Sequence, residues 1–151
     1  MTHISSRVIA CIGVSMLFAM SARAEPLASV RAVPDELTWK GPPLGAGLQR
    51  ADIVGDEKKS GIYVYRIRAP AGVRVKPHFH PDQRVVTVIS GTLLMGYGDK
   101  FDETAMKALP AGSVWTEPAN VPHYVWARDG EVVIQVMGAN GPSGVTQIEE
   151  K

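Results

Sequence analysis

Beyond residue 60 the chain is a succession of short apolar-rich runs separated by turn formers. Ile62-Tyr63-Val64-Tyr65-Arg66-Ile67, Arg84-Val85-Val86-Thr87-Val88-Ile89, Thr92-Leu93-Leu94-Met95-Gly96-Tyr97, Val121 to Ala127, and Glu131-Val132-Val133-Ile134-Gln135-Val136 are all rich in β-branched and aromatic residues. Several short strands of this kind, closely spaced, predict an all-β sandwich or barrel. Ser90-Gly91 has the spacing of a tight hairpin turn, because glycine supplies the positive φ such turns require. Lys100 to Leu109 is the one stretch of helix-friendly composition, and it predicts one short helix of a turn or two, bounded by Pro110. Residues 25–50, with Pro34, Trp39, Gly41-Pro42-Pro43 and Gly45-Ala46-Gly47, show little periodicity. They read as an extended N-terminal arm that packs on the barrel or on a second subunit, which leaves a homodimer open.

The first 24 residues follow a different pattern. His3 and Arg7 precede an apolar run from Val8 to Met20, and Ala22-Arg23-Ala24 follows it. A short apolar run ending in small residues is the pattern of a secretory signal peptide. A spanning helix needs roughly 20 apolar residues, more than this run has. Cleavage before Glu25 is therefore expected, with a periplasmic or secreted product and no membrane partner after cleavage. That product would hold a single barrel domain over 51–151 behind its arm. It would have no cysteine, since Cys11 is the only one in the chain, so thiolate chemistry is excluded. Without Arg7 and Arg23, 14 basic residues face 15 acidic ones, which argues against a nucleic-acid partner.

Candidate chemistry begins at Lys76-Pro77-His78-Phe79-His80-Pro81. Side chains two apart on a strand share a face, so His78 and His80 form a chelating pair if the segment is extended. The flanking prolines disfavour a helix there. A bare pair is weak, but a wider pattern surrounds it: Gly72, five residues, His78-Phe79-His80, three residues, Arg84, six residues, Gly91. A second pattern runs from Gly112 through Pro118-Ala119-Asn120 and Pro122 to His123 and Ala127. Together they resemble the two motifs of a small single-domain cupin, and the chain looks most like small exported cupins of unassigned function. The resemblance implies a double-stranded β-barrel of jelly-roll type with one divalent transition metal ion in its mouth, held by His78, His80 and His123. Imidazole alone does not choose among zinc, iron, manganese, copper and nickel. The sequence departs from the family at Arg84, where glutamate is usual, at Asn120, where glycine is usual, and at Ala127, where asparagine is usual. Asparagine tolerates the left-handed conformation that glycine would adopt, so the change at 120 is mild.

Arg84 is the larger departure. A guanidinium about 5 Å from a divalent ion, at an effective dielectric near 20, would cost roughly 6 to 7 kcal/mol by Coulomb's law. Three arrangements relieve it. A bulge at Pro81 turns Arg84 outward; or Arg84 faces in and pairs with a carboxylate, Asp82 or Glu117; or it binds an anionic substrate bidentately. Glu117 is the candidate general base or missing ligand, and rim carboxylate is its plain alternative. Two function classes follow. One is a metal-dependent enzyme of the dioxygenase, isomerase or lyase kind, acting on a small anionic molecule oriented by Arg84. The other is a non-catalytic ligand- or metal-binding module. The direction of Glu117 discriminates them: into the barrel favours catalysis, towards solvent favours binding.

Overall fold

The computed structural model describes residues 26–41, 47–139 and 141–149; the leader expected over 1–24 lies outside them. Its strands follow from alternation. Along Gln83–Ser90 (β4), Arg84, Val86 and Val88 point inward while Gln83 and Val85 face solvent. Val114–Glu117 (β7) repeats this, with Trp115 and Glu117 inside and Val114 and Thr116 outside. With Gln49–Val54 (β1), Ile62–Ala69 (β2) and Val132–Ala139 (β9), these strands form one antiparallel sheet in the order β1-β2-β9-β4-β7. The facing sheet runs β10-β3-β8-β5-β6, made of Arg74–Phe79 (β3), Thr92–Tyr97 (β5), Lys107–Pro110 (β6), His123–Trp126 (β8) and Thr146–Gln147 (β10). The inward residues Tyr63, Tyr65, Val86, Val88, Leu93, Met95, Val132 and Val136 form the core between the sheets. Each of the aliphatic ones contributes about 1.5 to 3 kcal/mol by leaving water.

Two local expectations change. Ser90-Gly91 is no hairpin: β4 pairs with β7 and β9, whereas β5 pairs with β6 and β8. The dipeptide is instead a corner between sheets, where Gly91 takes φ +79° and a Cβ would stand 2.3 Å from the Glu131 carbonyl oxygen. The helix expected over 100–109 is a single 3-10 turn, Glu103–Ala105, capped by the Asp102 carboxylate, which accepts from the Thr104 amide at 2.8 Å. The end of that stretch, Lys107 to Leu109, enters β6, because these residues gain a ladder with β5 that outweighs helix propensity. The arm is tied to the barrel at its end, where Lys40 and Arg50 exchange backbone hydrogen bonds of 2.8 and 3.0 Å.

Between β3 and β4 the chain crosses from one sheet to the other. The pairing of β3 with β8 is irregular between Val75 and His78, at Lys76-Pro77. Proline has no amide to donate, so the bulge falls where the ladder loses least. Residues 80–82 then make the crossing, and His78, His80, Asp82 and Arg84 are all buried along it.

Candidate metal centre

His78 stands at the end of β3, His80 just past it, and His123 opens β8, directly across from His78. The second turn places His123: Asn120 adopts φ +60°, as its tolerance of the left-handed region allows, and its amide donates to the His80 carbonyl at 2.7 Å. The two motifs are thus joined by a backbone hydrogen bond. The three rings lie 4.3 to 5.2 Å apart between centroids, and one nitrogen from each falls within 4.8 Å of the others.

Each ring has its Nδ1 against a backbone carbonyl: His78 against Lys76 at 2.8 Å, His80 against Gly144 at 2.6 Å, and His123 against Val121 at 3.2 Å. A carbonyl only accepts, so each Nδ1 carries the proton and each Nε2 keeps a lone pair. Such outer hydrogen bonds fix the tautomer and orientation of metal-binding imidazoles. The Nε2 of His123 is buried with no hydrogen-bond partner, although Glu117 Oε1 lies 3.3 Å away in a direction unsuited to a hydrogen bond. An orphaned, converging donor atom is what a metal would satisfy, so the residues present fit a divalent ion. Burial, reinforced by the neighbouring His123, pushes His78 down to about 4, and burial with the Arg84 charge lowers His80 as well. Near neutral pH both are in the ligand form.

Glu117 points into the barrel, 6% exposed. Its Oε2 lies 3.5 Å from His80 Nε2 and 3.9 Å from Arg84 Nη1. Burial works against its ionisation, but the facing His123 and His80 rings when protonated, and the Arg84 guanidinium, outweigh that and hold its carboxyl below the usual range. Glu117 and Arg84 are also direct cross-strand partners between β7 and β4. A carboxylate thus stands at the position facing Arg84 on the neighbouring strand, beside the three converging imidazoles.

Arg84 faces inward, 5% exposed, so the outward-turned arrangement does not occur. Its guanidinium donates to Tyr65 Oη at 3.1 Å, to Ser143 Oγ and to the Gly144 carbonyl at 3.4 Å, and lies 3.3 Å from Asp82 Oδ1. Asp82 in turn accepts from the Tyr63 hydroxyl and from Ser143 Oγ at 2.5 Å. Burial opposes charge on Asp82, yet the bonds from Ser143 and Tyr63 and the charge of Arg84 bring its carboxyl below the usual range. Burial and the bond to Asp82 push Tyr63 up to about 12. Two carboxylates thus neutralise the guanidinium, and the arrangement with an inward arginine paired to Asp82 and Glu117 is the one adopted. Sequence reasoning named those acids as partners. Tyr65, Ser143 and Gly144 it did not place there, because they meet Arg84 only through the closure of the barrel and nothing local marks them.

Behind this polar end lies a cavity of about 330 Å³, lined by Leu48, Ile67, Val75, Leu93, Trp115 and Ile134 among others. Trp115 belongs to its wall, as its inward position on β7 dictates. Tyr124 turns away from the imidazoles, fully buried under Gly96 with its hydroxyl on the Asp102 carbonyl. Ala127 is buried and locks the 72–73 turn through backbone bonds of 2.6 and 2.9 Å.

A family model, the cupin domain, matches residues 65–137. The barrel is a cupin fold. Solved structures agree. An RmlC-like cupin from Shewanella frigidimarina is 17% identical, with 76% of this chain and 94% of that one covered and a TM-score of 0.59. The polyketide cyclase RemF from Streptomyces resistomycificus is 13% identical over 82% and 88% of the two chains, at 0.66. A cupin-superfamily sugar phosphate isomerase from Silicibacter pomeroyi is 19% identical over 80% and 83%, at 0.59. At these identities the likeness is one of fold. No curated protein matches the sequence. Among the described residues, no helix is long and apolar enough to cross a membrane.

Proposed function

We propose that this cupin is a metal-dependent enzyme acting on a small molecule in the periplasm or outside the cell. The observation that carries the reading is the inward Glu117, buried beside two imidazole Nε2 atoms at the head of an apolar cavity. His78, His80 and His123 would hold the ion, with Glu117 as fourth ligand or as the base beside it. A bound divalent metal would act as a Lewis acid on a ligand oxygen. The chain's own residues do the rest. The apolar walls exclude water and hold the body of the ligand, Glu117 is placed to take or return a proton, and Arg84 keeps Glu117 ionised.

An anionic ligand end would have to share Arg84 with Asp82, Tyr65 and Ser143. The ligand we propose is therefore compact and apolar in body, aromatic or branched aliphatic, with a neutral or weakly charged oxygen end towards the imidazoles. Cyclase and isomerase relatives share the fold, and fold alone does not carry a reaction. The second reading, a non-catalytic binding module, draws on the largely apolar cavity, which suits retention of a ligand as well as turnover.

The test is depletion of small molecules from a metabolite extract, followed by mass spectrometry, with metal-loaded protein, chelator-treated protein and Glu117→Gln. Enzyme function predicts a substrate-to-product mass change that needs both the metal and Glu117. A compound retained unchanged by the loaded protein, with no new product, contradicts it and favours the binding module. Export belongs to the same proposal and rests on the leader pattern of residues 1–24; a mature N-terminus at Glu25 is the expected result of sequencing the exported protein.

A further inference from the structure

The residues after β9 lie beyond the stretch matched by the cupin domain, yet they reach the centre of the site. Segment 141–148 crosses the mouth of the barrel and is fastened at four places. Gly141 sits so close to the β1–β2 connection that a Cβ would stand 2.4 Å from the Glu57 carbonyl oxygen. The Ser143 amide donates to that same carbonyl at 2.7 Å. Thr146 and Gln147 (β10) pair with Phe79 and His78. The Ile148 amide donates to the Pro77 carbonyl at 3.0 Å. Gly144 and Val145, between these fastenings, line the cavity.

Within the segment, Ser143 is the one side chain that enters the buried polar network. Its hydroxyl accepts from Arg84 and donates to Asp82 Oδ1 at 2.5 Å, bridging a cation and an anion that are each about 95% buried. The next residue, Gly144, offers its carbonyl to His80 Nδ1 at 2.6 Å. His80 has no regular strand to hold it, lying in the crossing between β3 and β4. That carbonyl orients its ring, and the backbone fastenings place the segment as a whole, while the Ser143 bridge and the 3.4 Å bond from Arg84 hold the carbonyl at the buried network.

We infer that Ser143 is a positioning residue for the site: by fastening the 141–148 segment to Asp82 and Arg84, it sets the Gly144 carbonyl that fixes the His80 ring with Nε2 towards the metal position. The inference rests on the metal-site reading only for its consequence in binding; the orientation of His80 is a property of the metal-free chain. A carbonyl at Nδ1 selects the Nδ1–H tautomer and aims the other nitrogen. Loss of such an outer partner typically weakens metal affinity 10- to 100-fold, on the order of magnitude known for these groups.

The experiment compares the full chain with Ser143→Ala and Ser143→Thr. Nitrogen-15 NMR of the metal-free proteins reads the His80 tautomer, and chelator competition with Co(II) alone reads affinity. Wild type and Ser143→Thr should show one Nδ1–H tautomer at His80. Ser143→Ala should show tautomer averaging and about 10- to 100-fold weaker Co(II) binding. Where Ser143→Ala does not fold, Ser143→Cys carries the comparison, with similar size and a much weaker hydroxyl replacement. An unchanged His80 tautomer, with Co(II) affinity within about twofold in the Ala or Cys variant, overturns the inference. Wild type that binds no Co(II), while His80 still loses its single tautomer in Ser143→Ala, supports the positioning role and contradicts the metal reading instead.

Discussion

At the scale of residues, the site is a charge arrangement in which arginine and glutamate are adjacent rungs of one ladder. Position 84 carries the cation and position 117, directly across, carries the anion. Glu117→Gln keeps the shape and removes the charge, leaving Arg84 less compensated beside the imidazoles. We expect metal affinity roughly 10- to 100-fold weaker in a chelator competition. His78 adds a pH dependence to the metal-free protein. Below its unfolded value, about 6.5, the unfolded chain binds a proton that the buried ring refuses until about pH 4. Stability is therefore full above about 6.5 and falls as pH drops across that window. For His78 the loss approaches about 3 kcal/mol, to be read from urea unfolding of chelator-treated protein at a series of pH values. The three histidines were legible because motif spacing, and strand parity for His78 and His80, point at them, whereas Glu117 stood out only as an acid close in sequence to His123, with its direction open. That parity survives the crossing at 80–82, so Arg84 lands inside as an ideal strand would place it. Ser143 was not legible: a lone serine near the end of the chain has no pattern, and its partners lie 59 and 61 residues away.

At the scale of elements, strands with unbroken β-branched runs were legible and those built from mixed residues were not. Ile62–Ala69, Gln83–Ser90, Thr92–Tyr97, His123–Trp126 and Val132–Ala139 coincide with the five runs. Arg74–Phe79 hides behind two basic residues and a proline, and Lys107–Pro110 behind a composition that suits a helix. Both are strands because neighbouring strands complete their hydrogen bonds, a cause that acts between segments. The corner at Ser90-Gly91 shows the same limit: the turn residue was recognisable, but which sheet each run joins is decided by distant pairing. Gly91→Ala should destabilise the fold by about 2 to 4 kcal/mol, combining left-handed strain with collision against the Glu131 carbonyl. Thermal unfolding of the metal-free variant against wild type measures it.

At the scale of the whole molecule, two sheets close around an apolar cavity and bring both motifs and the C-terminal segment to one end of it. The polar end is almost wholly buried, so its groups satisfy one another: Asp82 and Glu117 answer Arg84, backbone carbonyls answer each Nδ1, and the Nε2 of His123 is left with no hydrogen-bond partner. A metal would complete that arrangement. The most direct measurement is the metal content of untagged protein, matured in its own compartment and purified without chelators, beside His123→Ala. We expect about one divalent transition metal ion per chain in the wild type and its loss in the variant. Substoichiometric metal in both, or equal metal in both, would contradict it.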